Sequence, residues 1–204
     1  MTLEDLISYI PVWRDPIHFK YDDLDIYSIG PPSSGVICLA QIMKMIEPFN
    51  IEQYAQNSSA AIQIVVEAER RSYADRSLYL GDPDFINIPQ DSLLDKVYLS
   101  NRMSSFNFDQ ASKYSDINPG TIIWNESEQT THYSILDPMG NAVAVTTTLN
   151  GSYGSKVVVE SGGYFLNNEM DDFSSKPGFP NMFGLIGGKA NAIAPEKRML
   201  SAMT

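Results

Sequence analysis

The pattern of apolar residues changes near residue 130, and this change constrains the fold of the 204-residue chain most strongly. Before it, apolar side chains recur at helical spacing, most clearly over residues 60–80. After it, residues 134–136 and 142–149 alternate between apolar and polar side chains, and the polar turn 137–141 between them predicts a β-hairpin. Helices followed by strands, with no internal repeat, predict a layered α+β fold.

The other predicted elements are shorter and are bounded by turn residues. They are a short helix that includes Leu3 and Ile10, a strand from Leu24 to Ile29, a helix from Gly35 to Ile46 capped by Ser33 or Ser34, a helix after Asp91 that includes Tyr98, and strands over 156–160 and 163–166. Two segments lack periodicity. Residues 104–129 predict a long exposed connection, and residues 173–191 predict a mobile surface loop.

The charge of the chain argues against one class of partner. Lysine and arginine number 14 against 25 aspartate and glutamate residues, which gives a formal net charge of −11. Because nucleic-acid binding normally needs a basic face, we expect no nucleic-acid partner. With two histidines, one cysteine and no ligand cluster at metal-binding spacing, the sequence predicts neither a metal site nor a cofactor.

Thr130 stands at the start of the alternating run, after a polar connection. A threonine hydroxyl is a poor nucleophile unless a base lies beside it. One solution is to make the threonine the first residue of a chain, so that its own α-amine takes the proton. That chemistry requires cleavage between Gln129 and Thr130. Taken alone, Thr130 and Thr131 are explained by the β propensity of threonine.

A series of short motifs spread over the whole chain carries more information. They are Glu128–Ser134, Gly140–Thr146, Thr148–Asn150, Leu166–Phe173, Lys176–Gly178, Gly187–Gly188, Ala190–Ala192, Lys197–Arg198 and Leu200–Ser201, with Pro31–Gly35, Tyr73–Arg76 and Leu80–Pro83 upstream. In this order they resemble the gamma-glutamyltransferase (gamma-glutamyltranspeptidase) family, and Glu128–Ser134 resembles its self-cleavage site.

The resemblance implies an αββα sandwich of the N-terminal-nucleophile hydrolase type. Residues 1–129 would be the C-terminal part of the large subunit and residues 130–204 the N-terminal part of the small subunit, and the two subunits would pair after cleavage. Thr130 would then carry the γ-glutamyl group of glutathione or a related compound, as an ester, to water or to an amino acid or dipeptide. The base would be its α-amine and not His132. The family also implies a periplasmic or secreted location.

The same resemblance assigns the remaining site residues. Thr148 matches the threonine that hydrogen-bonds the nucleophile. Asn150, Glu169 and Asp172 match residues that bind the α-amino and α-carboxylate end of the glutamyl substrate. Carboxylates are the partners that a partly buried ammonium group needs. Ser201 matches the first of two adjacent serines that bind the α-carboxylate.

Two positions depart from the family pattern. Ala202 stands in place of the second serine, and loss of one hydrogen bond to a charged group is worth roughly 1.5–3 kcal/mol. Phe183 stands in the implied lid loop where many bacterial members carry tyrosine, so the hydroxyl that would bond Asn150 is missing and we expect weaker gating. Two alternatives stay open. One is a non-catalytic or processing-defective relative that binds γ-glutamyl ligands, and the other is a related hydrolase of poly-γ-glutamate or of a β-lactam side chain.

We expect the chain to be an interior fragment of such a proenzyme. The family's arginine that clamps the α-carboxylate would lie before Met1, and the glycine pair of its oxyanion hole would lie beyond Thr204. Missing oxyanion donors alone cost ~10²–10³-fold in rate. We therefore expect little or no transferase activity from the 204 residues by themselves.

Overall fold

The fold combines five helices and three β-hairpins within residues 2–118, 131–182, 184 and 186–203, which are the residues that this computed structural model describes. The helices are α1 (Leu3–Ser8), α2 (Gly35–Ile46), α3 (Ser59–Tyr79), α4 (Gln90–Leu93) and α5 (Lys96–Met103). The strands are β1 (Ile17–Tyr21), β2 (Leu24–Ser28), β3 (Thr131–Leu136), β4 (Ala142–Thr147), β5 (Val158–Val159) and β6 (Tyr164–Phe165). Short 3-10 turns cover Glu47–Phe49, Ile51–Gln53, Tyr114–Asp116, Glu169–Asp172 and Lys189–Asn191.

The main core lies where α2 meets the first hairpin and the end of α3. Its buried members are Ile17, Phe19, Val36, Ile37, Ala40, Leu80, Leu93 and Leu200. Leu200 comes from the far end of the chain, so the core of the first part is completed by a side chain that follows the region of the predicted cleavage site. A second cluster packs α2 against α3 and α5 and contains Met45, Ala68, Leu99 and Met103.

The helix predictions are mostly confirmed. The helix expected over residues 60–80 spans Ser59–Tyr79, and the Ser58 hydroxyl accepts a hydrogen bond from the Ala61 N–H at 3.3 Å. The single helix expected after Asp91 is wrong, because the chain forms two helices, α4 and α5. α4 ends at Leu93 with Leu94 as its C-cap, and Asp95 caps the start of α5, where its carboxylate accepts a hydrogen bond from the Tyr98 N–H at 2.9 Å.

The hairpin predicted after residue 130 is confirmed. β3 and β4 pair antiparallel, with Thr131 opposite Thr147 and Leu136 opposite Ala142. The Asp137 carboxylate accepts hydrogen bonds from two backbone N–H groups of the turn, those of Met139 at 2.9 Å and Asn141 at 2.8 Å. The described strands form three separate two-stranded sheets, β1–β2, β3–β4 and β5–β6.

The long connection is mostly exposed in its described part, as the sequence predicts, but it is tied to the rest of the fold. Within its described part, 104–118, Ile117 is buried and the Ser112 N–H donates to the Glu67 carboxylate at 3.0 Å. The ends of the predicted surface loop are also anchored. Phe173 and Asn191 are buried, and the Ser174 N–H donates to the Asn191 carbonyl at 2.9 Å. Long-range hydrogen bonds, which local composition does not encode, hold both segments.

The described residues after 130 contact those before 118 through three groups of hydrogen bonds. Ser33 and Ser201 form a parallel β-bridge. The Gly188 N–H donates to the Ser77 carbonyl at 3.2 Å, at the end of α3. The fully buried Asp82 carboxylate accepts a hydrogen bond from the Arg198 N–H at 2.7 Å. These contacts bring the predicted substrate-binding segments against α2 and α3.

Candidate active site

The end of β4 positions two of the predicted site residues. Asn150 is buried and has a left-handed backbone, with φ of 70°, a conformation that asparagine adopts more readily than most residues. The Thr148 hydroxyl oxygen accepts a hydrogen bond from the Asn150 N–H at 2.9 Å. The Asn150 side-chain amide donates to the Asn168 carbonyl at 3.3 Å. Together these contacts turn the chain out of the strand and point it towards the next predicted site segment.

The 3-10 turn Glu169–Asp172 forms an acidic group next to Asn150. Burial raises the pKa of the Glu169 carboxyl. Burial also raises the pKa of Asp172, to about 6, and the negative charges of Glu169 and Asp171 add to this effect. The positive charge of Arg76 and a hydrogen bond from Asn150 act in the opposite direction. A carboxylate that is costly to ionise binds an ammonium group well, because the incoming positive charge offsets the desolvation.

Ser201 and Glu169 both line an open groove of about 920 Å³. The backbone of Ser201 is held on both sides: its N–H donates to the Pro32 carbonyl at 3.0 Å, and its carbonyl accepts from the Ser34 N–H at 2.8 Å. Its hydroxyl oxygen accepts a hydrogen bond from the Met203 N–H at 3.1 Å. The groove therefore brings Glu169 and Ser201 together, as the resemblance implies.

Asp172 faces a second, smaller cavity of about 50 Å³ between α3 and the loop segments. Arg76 and Tyr73 of α3 line it as well, and Phe173 lines both this cavity and the groove. Asn150 links the two groups, because it contacts Asp172 and follows the strand that forms part of the groove. The structure thus places Glu169 and Ser201 at the groove and Asp172 at the adjacent cavity, and the two cavities share Phe173.

His132 lies on β3 and also lines the groove. One ring nitrogen, Nδ1, is 2.8 Å from the Thr146 hydroxyl on the opposite strand, and the other, Nε2, is 3.3 Å from the Ser134 hydroxyl. Thr146 is the direct cross-strand partner of His132. The ring is thus engaged with its strand neighbours, in keeping with the interpretation of His132 as a strand residue.

Comparison with known proteins identifies the family. The family model described as gamma-glutamyltranspeptidase matches residues 1–204. The glutathione hydrolase proenzyme of Escherichia coli (strain K12) is 48% identical over 204 residues, which cover 100% of this chain and 35% of that protein. This chain belongs to the gamma-glutamyltranspeptidase family.

Solved structures agree on the fold. Gamma-glutamyltranspeptidase from Helicobacter pylori matches at 38% identity with a TM-score of 0.55, over 61% of this chain and 36% of that chain. Cephalosporin acylase from Bacillus halodurans matches at 22% identity with a TM-score of 0.75, over 100% of this chain and 33% of that chain. The prediction of an N-terminal-nucleophile hydrolase fold is confirmed. The chain spans about a third of the length of the curated relative described above, with 35% of it covered.

Three predicted site residues of this chain, Gln129, Thr130 and Phe183, lie outside the described residues. Thr130 directly precedes β3 in the sequence and Thr148 directly follows β4. The structure gives the positions and contacts of the other predicted site residues, but their roles stay predictions. These residues are Thr148, Asn150, Glu169, Asp172 and Ser201.

The sequence interpretation missed two residues that contact this region, Arg76 and Ser34. Both belong to motifs that carry the resemblance to gamma-glutamyltranspeptidases, Tyr73–Arg76 and Pro31–Gly35, to which no role was assigned. The sequence predicts only that Ser33 or Ser34 caps α2, and the structure puts Ser34 there. It occupies the N-cap position, but its hydroxyl bonds Ser201 and Arg76 and makes no cap hydrogen bond. That the two motifs lie near each other is apparent only in three dimensions.

Other features bear on what the site holds. Among the described residues, no group of three or more histidine, cysteine, aspartate or glutamate side chains is placed to share a metal ion. Over the same part of the chain, none of the helices combines the length and the apolar character needed to cross a membrane.

Proposed function

We propose that this chain carries the nucleophile and part of the glutamyl-binding site of a glutathione hydrolase or gamma-glutamyltransferase that cleaves itself before Thr130. The observation that carries the proposal is the packing of Asn150, Glu169 and Asp172 beside the end of the β3–β4 hairpin. Thr130 directly precedes β3 in the sequence, at this end of the hairpin. The nucleophile and the group that binds the substrate's charged end would then lie on neighbouring segments.

The first step of the proposed chemistry is self-cleavage. The Thr130 hydroxyl attacks the Gln129 carbonyl, and the peptide bond is replaced by an ester as the acyl group moves from nitrogen to oxygen. Water then hydrolyses the ester, which frees the Thr130 hydroxyl and its α-amine and leaves a carboxylate on Gln129. Residues 1–129 and 130–204 become parts of a large and a small subunit that stay paired.

In turnover the freed α-amine takes the proton from the Thr130 hydroxyl as it attacks the γ-amide carbonyl of the substrate. The amine of the substrate leaves with a proton, and the γ-glutamyl group remains as an ester on Thr130. Water releases glutamate from this ester, whereas the amino group of an amino acid or dipeptide forms a new γ-glutamyl amide. Glutathione, which is itself a γ-glutamyl amide, is the proposed donor.

The remaining site residues would bind the charged end of the glutamyl group. Asp172 and Glu169 pair with its α-ammonium, Ser201 donates to its α-carboxylate, and Asn150 holds Asp172 in place. Ala202 supplies no second hydroxyl, so we expect weaker glutamyl binding than in a relative with two serines. A periplasmic or secreted location is part of the proposal.

The decisive experiment uses the protein expressed from its complete coding sequence, together with Thr130→Ala and the neighbouring control Thr131→Ala. We expect the parent and Thr131→Ala to yield two products, the second beginning at Thr130, and to release the chromophore from a γ-glutamyl anilide. Thr130→Ala should remain uncut and inactive. Intact mass measurement and N-terminal sequencing detect the products. Normal cleavage in Thr130→Ala would contradict the proposal.

A substrate comparison separates the proposal from its alternatives. The processed parent is offered a γ-glutamyl anilide, poly-γ-glutamate and a cephalosporin with an acyl side chain under the same conditions. Preferred turnover of the anilide, with glutathione as a competitor, supports the proposal. Preferred turnover of the polymer or the cephalosporin would instead identify an acylase. Binding of glutathione without any turnover would identify a non-catalytic relative.

A further inference from the structure

Arg76 of α3 contacts the segment that holds Ser201, although the two residues are far apart in the chain. Its guanidinium Nε donates a hydrogen bond to the Ser34 hydroxyl oxygen at 2.8 Å. The Ser34 hydroxyl in turn donates to the Ser201 carbonyl at 2.7 Å. Ser34 is buried and Arg76 is half-buried, so water competes little for this pair of hydrogen bonds. Arg76 thereby fixes the direction of the Ser34 hydroxyl, and that hydroxyl fixes Ser201.

The Ser201 segment has few other supports. The Ser34 and Ser201 N–H groups form the two backbone bonds of the bridge to residues 32–34. The Ser33 hydroxyl donates to the Met203 carbonyl. The neighbouring Leu200 is buried in the core, and its N–H donates to the Asn191 side-chain oxygen at 3.0 Å. Ser201 itself is held mainly by its bonds to residues 32–34. A small movement of the Ser201 carbonyl would therefore turn its side chain within the groove.

Arg76 also acts on the other side of the proposed site, through its charge. It lines the small cavity that Asp172 faces. The charged groups that act on Asp172 are Glu169 and Asp171 of its own turn and Arg76 of α3, and of these only Arg76 favours ionisation. The amide of Asn150 is the remaining polar partner. Because the cavity is half-buried, the attraction between Arg76 and Asp172 is screened less than it would be at the surface.

We propose that Arg76 is a positioning residue for both parts of the glutamyl-binding site: it orients Ser201 through Ser34, and it places its positive charge at the cavity that Asp172 lines. The proposal deepens the function proposed above and rests on it for the identity of the ligand. Arg76 lies before the predicted cleavage site, whereas Ser201 and Asp172 lie after it. Arg76 would thus make substrate binding by the small subunit depend on the large subunit.

Kinetics of three variants separate the two effects. Ser34→Ala breaks the link to Ser201 and leaves the charge in place, Arg76→Lys keeps the charge but loses the Nε donor, and Arg76→Gln loses both. For the γ-glutamyl anilide we expect Ser34→Ala and Arg76→Lys to raise KM about tenfold with little change in kcat, as for the loss of one hydrogen bond. Arg76→Gln should raise KM further. Unchanged KM in all three variants would overturn the proposal.

The second readout follows the ionisation of Asp172 by carbon NMR of labelled aspartate carboxyl groups, with Asp172→Asn assigning the signal. We expect Arg76→Gln to raise the pKa of Asp172 above the parent's value of about 6. Arg76→Lys and Ser34→Ala should leave the pKa unchanged. Arg70→Gln is the matched control, since it removes an arginine from the same helix that bonds Glu67 and the Ser112 carbonyl instead. If the pKa of Asp172 were the same in Arg76→Gln and in the parent, the proposed effect of the Arg76 charge on Asp172 would be overturned.

The kinetic measurement and the NMR titration test the proposed function and the role of Arg76 independently. A parent that releases no anilide contradicts the proposed function, while the NMR titration, which needs no turnover, still decides whether Arg76 controls Asp172. Arg76→Lys guards against loss of folding, because it keeps a long cationic side chain in the same place. If Arg76 had only a structural role, all three variants would lower stability and would leave the titration of Asp172 where it is in the parent.

Discussion

At the scale of single residues, we expect the raised pKa of Asp172 to make binding of the proposed substrate depend on pH. Its pKa is raised to about 6, so the carboxyl is ionised above that pH and neutral below it. Only the ionised form pairs with an α-ammonium group. We expect kcat/KM for a γ-glutamyl anilide to rise with pH through about 6 and to fall below it, because protonation of Asp172 removes the partner of the substrate. A pH profile of kcat/KM measures this.

Two neighbouring substitutions test that assignment. Asp172→Asn should remove the acid limb of the profile and lower kcat/KM at all pH values. Asp171, whose carboxylate accepts a hydrogen bond from the Met182 N–H at 2.9 Å, contributes to the raised pKa of Asp172. Asp171→Asn should therefore keep the acid limb but move it to lower pH. An acid limb that persists in Asp172→Asn would assign it to another group. The proton also affects folding: because the folded state raises this pKa from its ordinary value of 3.8, the carboxyl disfavours folding increasingly as pH rises towards about 6.

The sequence identifies residues of this site better than it identifies their arrangement. Asn150, Glu169, Asp172 and Ser201 follow from motif resemblance. In the structure Glu169 and Ser201 line the groove, Asp172 lines the adjacent cavity, and Asn150 hydrogen-bonds Asp172. The contribution of Arg76 could not be predicted in the same way, because it depends on a hydrogen bond that joins residues 42 positions apart. Periodicity places Arg76 on a helix but carries no information about which distant segment that helix contacts.

At the scale of elements, Thr148 joins the hairpin to the glutamyl-binding turn. Thr148→Val keeps the shape of the side chain but removes the oxygen that accepts from the Asn150 N–H. An unpaired backbone donor in a half-buried position costs roughly 1–2 kcal/mol, so we expect a loss of stability of that size and a fall in turnover of tenfold or more. Urea unfolding and anilide release measure the two effects.

Two further substitutions serve as controls for Thr148→Val. Thr148→Ser retains the hydroxyl and should retain most of the activity. Thr147→Val lies at the adjacent position of the hairpin, where the side chain is exposed, and β-branched residues are equally acceptable there. Equal losses in Thr147→Val and Thr148→Val would show that the effect is general to the strand and does not depend on the hydrogen bond to Asn150.

The elements also show where local patterns succeed and fail. α3 and the β3–β4 hairpin were predicted because long periodic segments and a turn with Asp and Gly specify them locally. β1 was missed although its signal is present, since buried Ile17 and Phe19 alternate with exposed His18. The pairing of β1 with β2, which the sequence does predict as a strand, is what identifies it, and that pairing is apparent only in three dimensions.

The connection after α5 is held by a buried ion pair on α3. The side chains of Glu67 and Arg71 are 3% and 2% exposed, and Ser112 donates to the same carboxylate. Although burial opposes ionisation, hydrogen bonds from Arg71 and Ser112 hold the pKa of Glu67 below its usual value. Glu67→Gln leaves the buried Arg71 without its counter-charge, so we expect a loss of about 3 kcal/mol in the free energy of unfolding.

Urea unfolding measures the effect of Glu67→Gln, with the exposed Glu52→Gln as the control that should change stability little. Because the folded state lowers the pKa of Glu67, its contribution is present above the ordinary carboxyl pKa and is lost as pH falls through the lowered value. The difference between the parent and Glu67→Gln should therefore shrink in acid. A difference that is independent of pH would argue for a packing effect instead.

At the scale of the whole molecule, the described parts on either side of residue 130 form one packed unit. Leu200 completes the core of the first part, and the bridge between Ser33 and Ser201 extends the contact. These contacts also build the proposed site, because Ser201 is oriented by residues 32–34 and Asp172 faces α3. The site therefore needs residues from both sides of the proposed cleavage bond, and after cleavage it depends on non-covalent association.

Among the polar contacts between the two parts, we expect those of Asp82 to contribute most to the association. Its carboxylate is fully buried and accepts hydrogen bonds from the Arg198 N–H at 2.7 Å and the Asp84 N–H at 3.1 Å. In Asp82→Asn one of these N–H groups faces an amide donor and loses its acceptor, which costs about 2 kcal/mol. Asp84→Asn is the matched control. It weakens only the exposed ion pairs with Arg14 and Arg198, which are worth less than about 1 kcal/mol.

The separation of the two cleavage products in urea, followed by native mass spectrometry, distinguishes these variants. We expect the products of Asp82→Asn to separate at a clearly lower urea concentration than those of the parent, and the products of Asp84→Asn to separate close to the parent. The same two substitutions are also made in the Thr130→Ala protein, which stays uncut, and their effect is measured there as a free energy of unfolding. This comparison separates an effect on association from an effect on cleavage. If both variants behaved alike, the buried hydrogen bonds of Asp82 would contribute no more to the association than the exposed ion pairs, and the apolar contact of Leu200 with the core would be its main source.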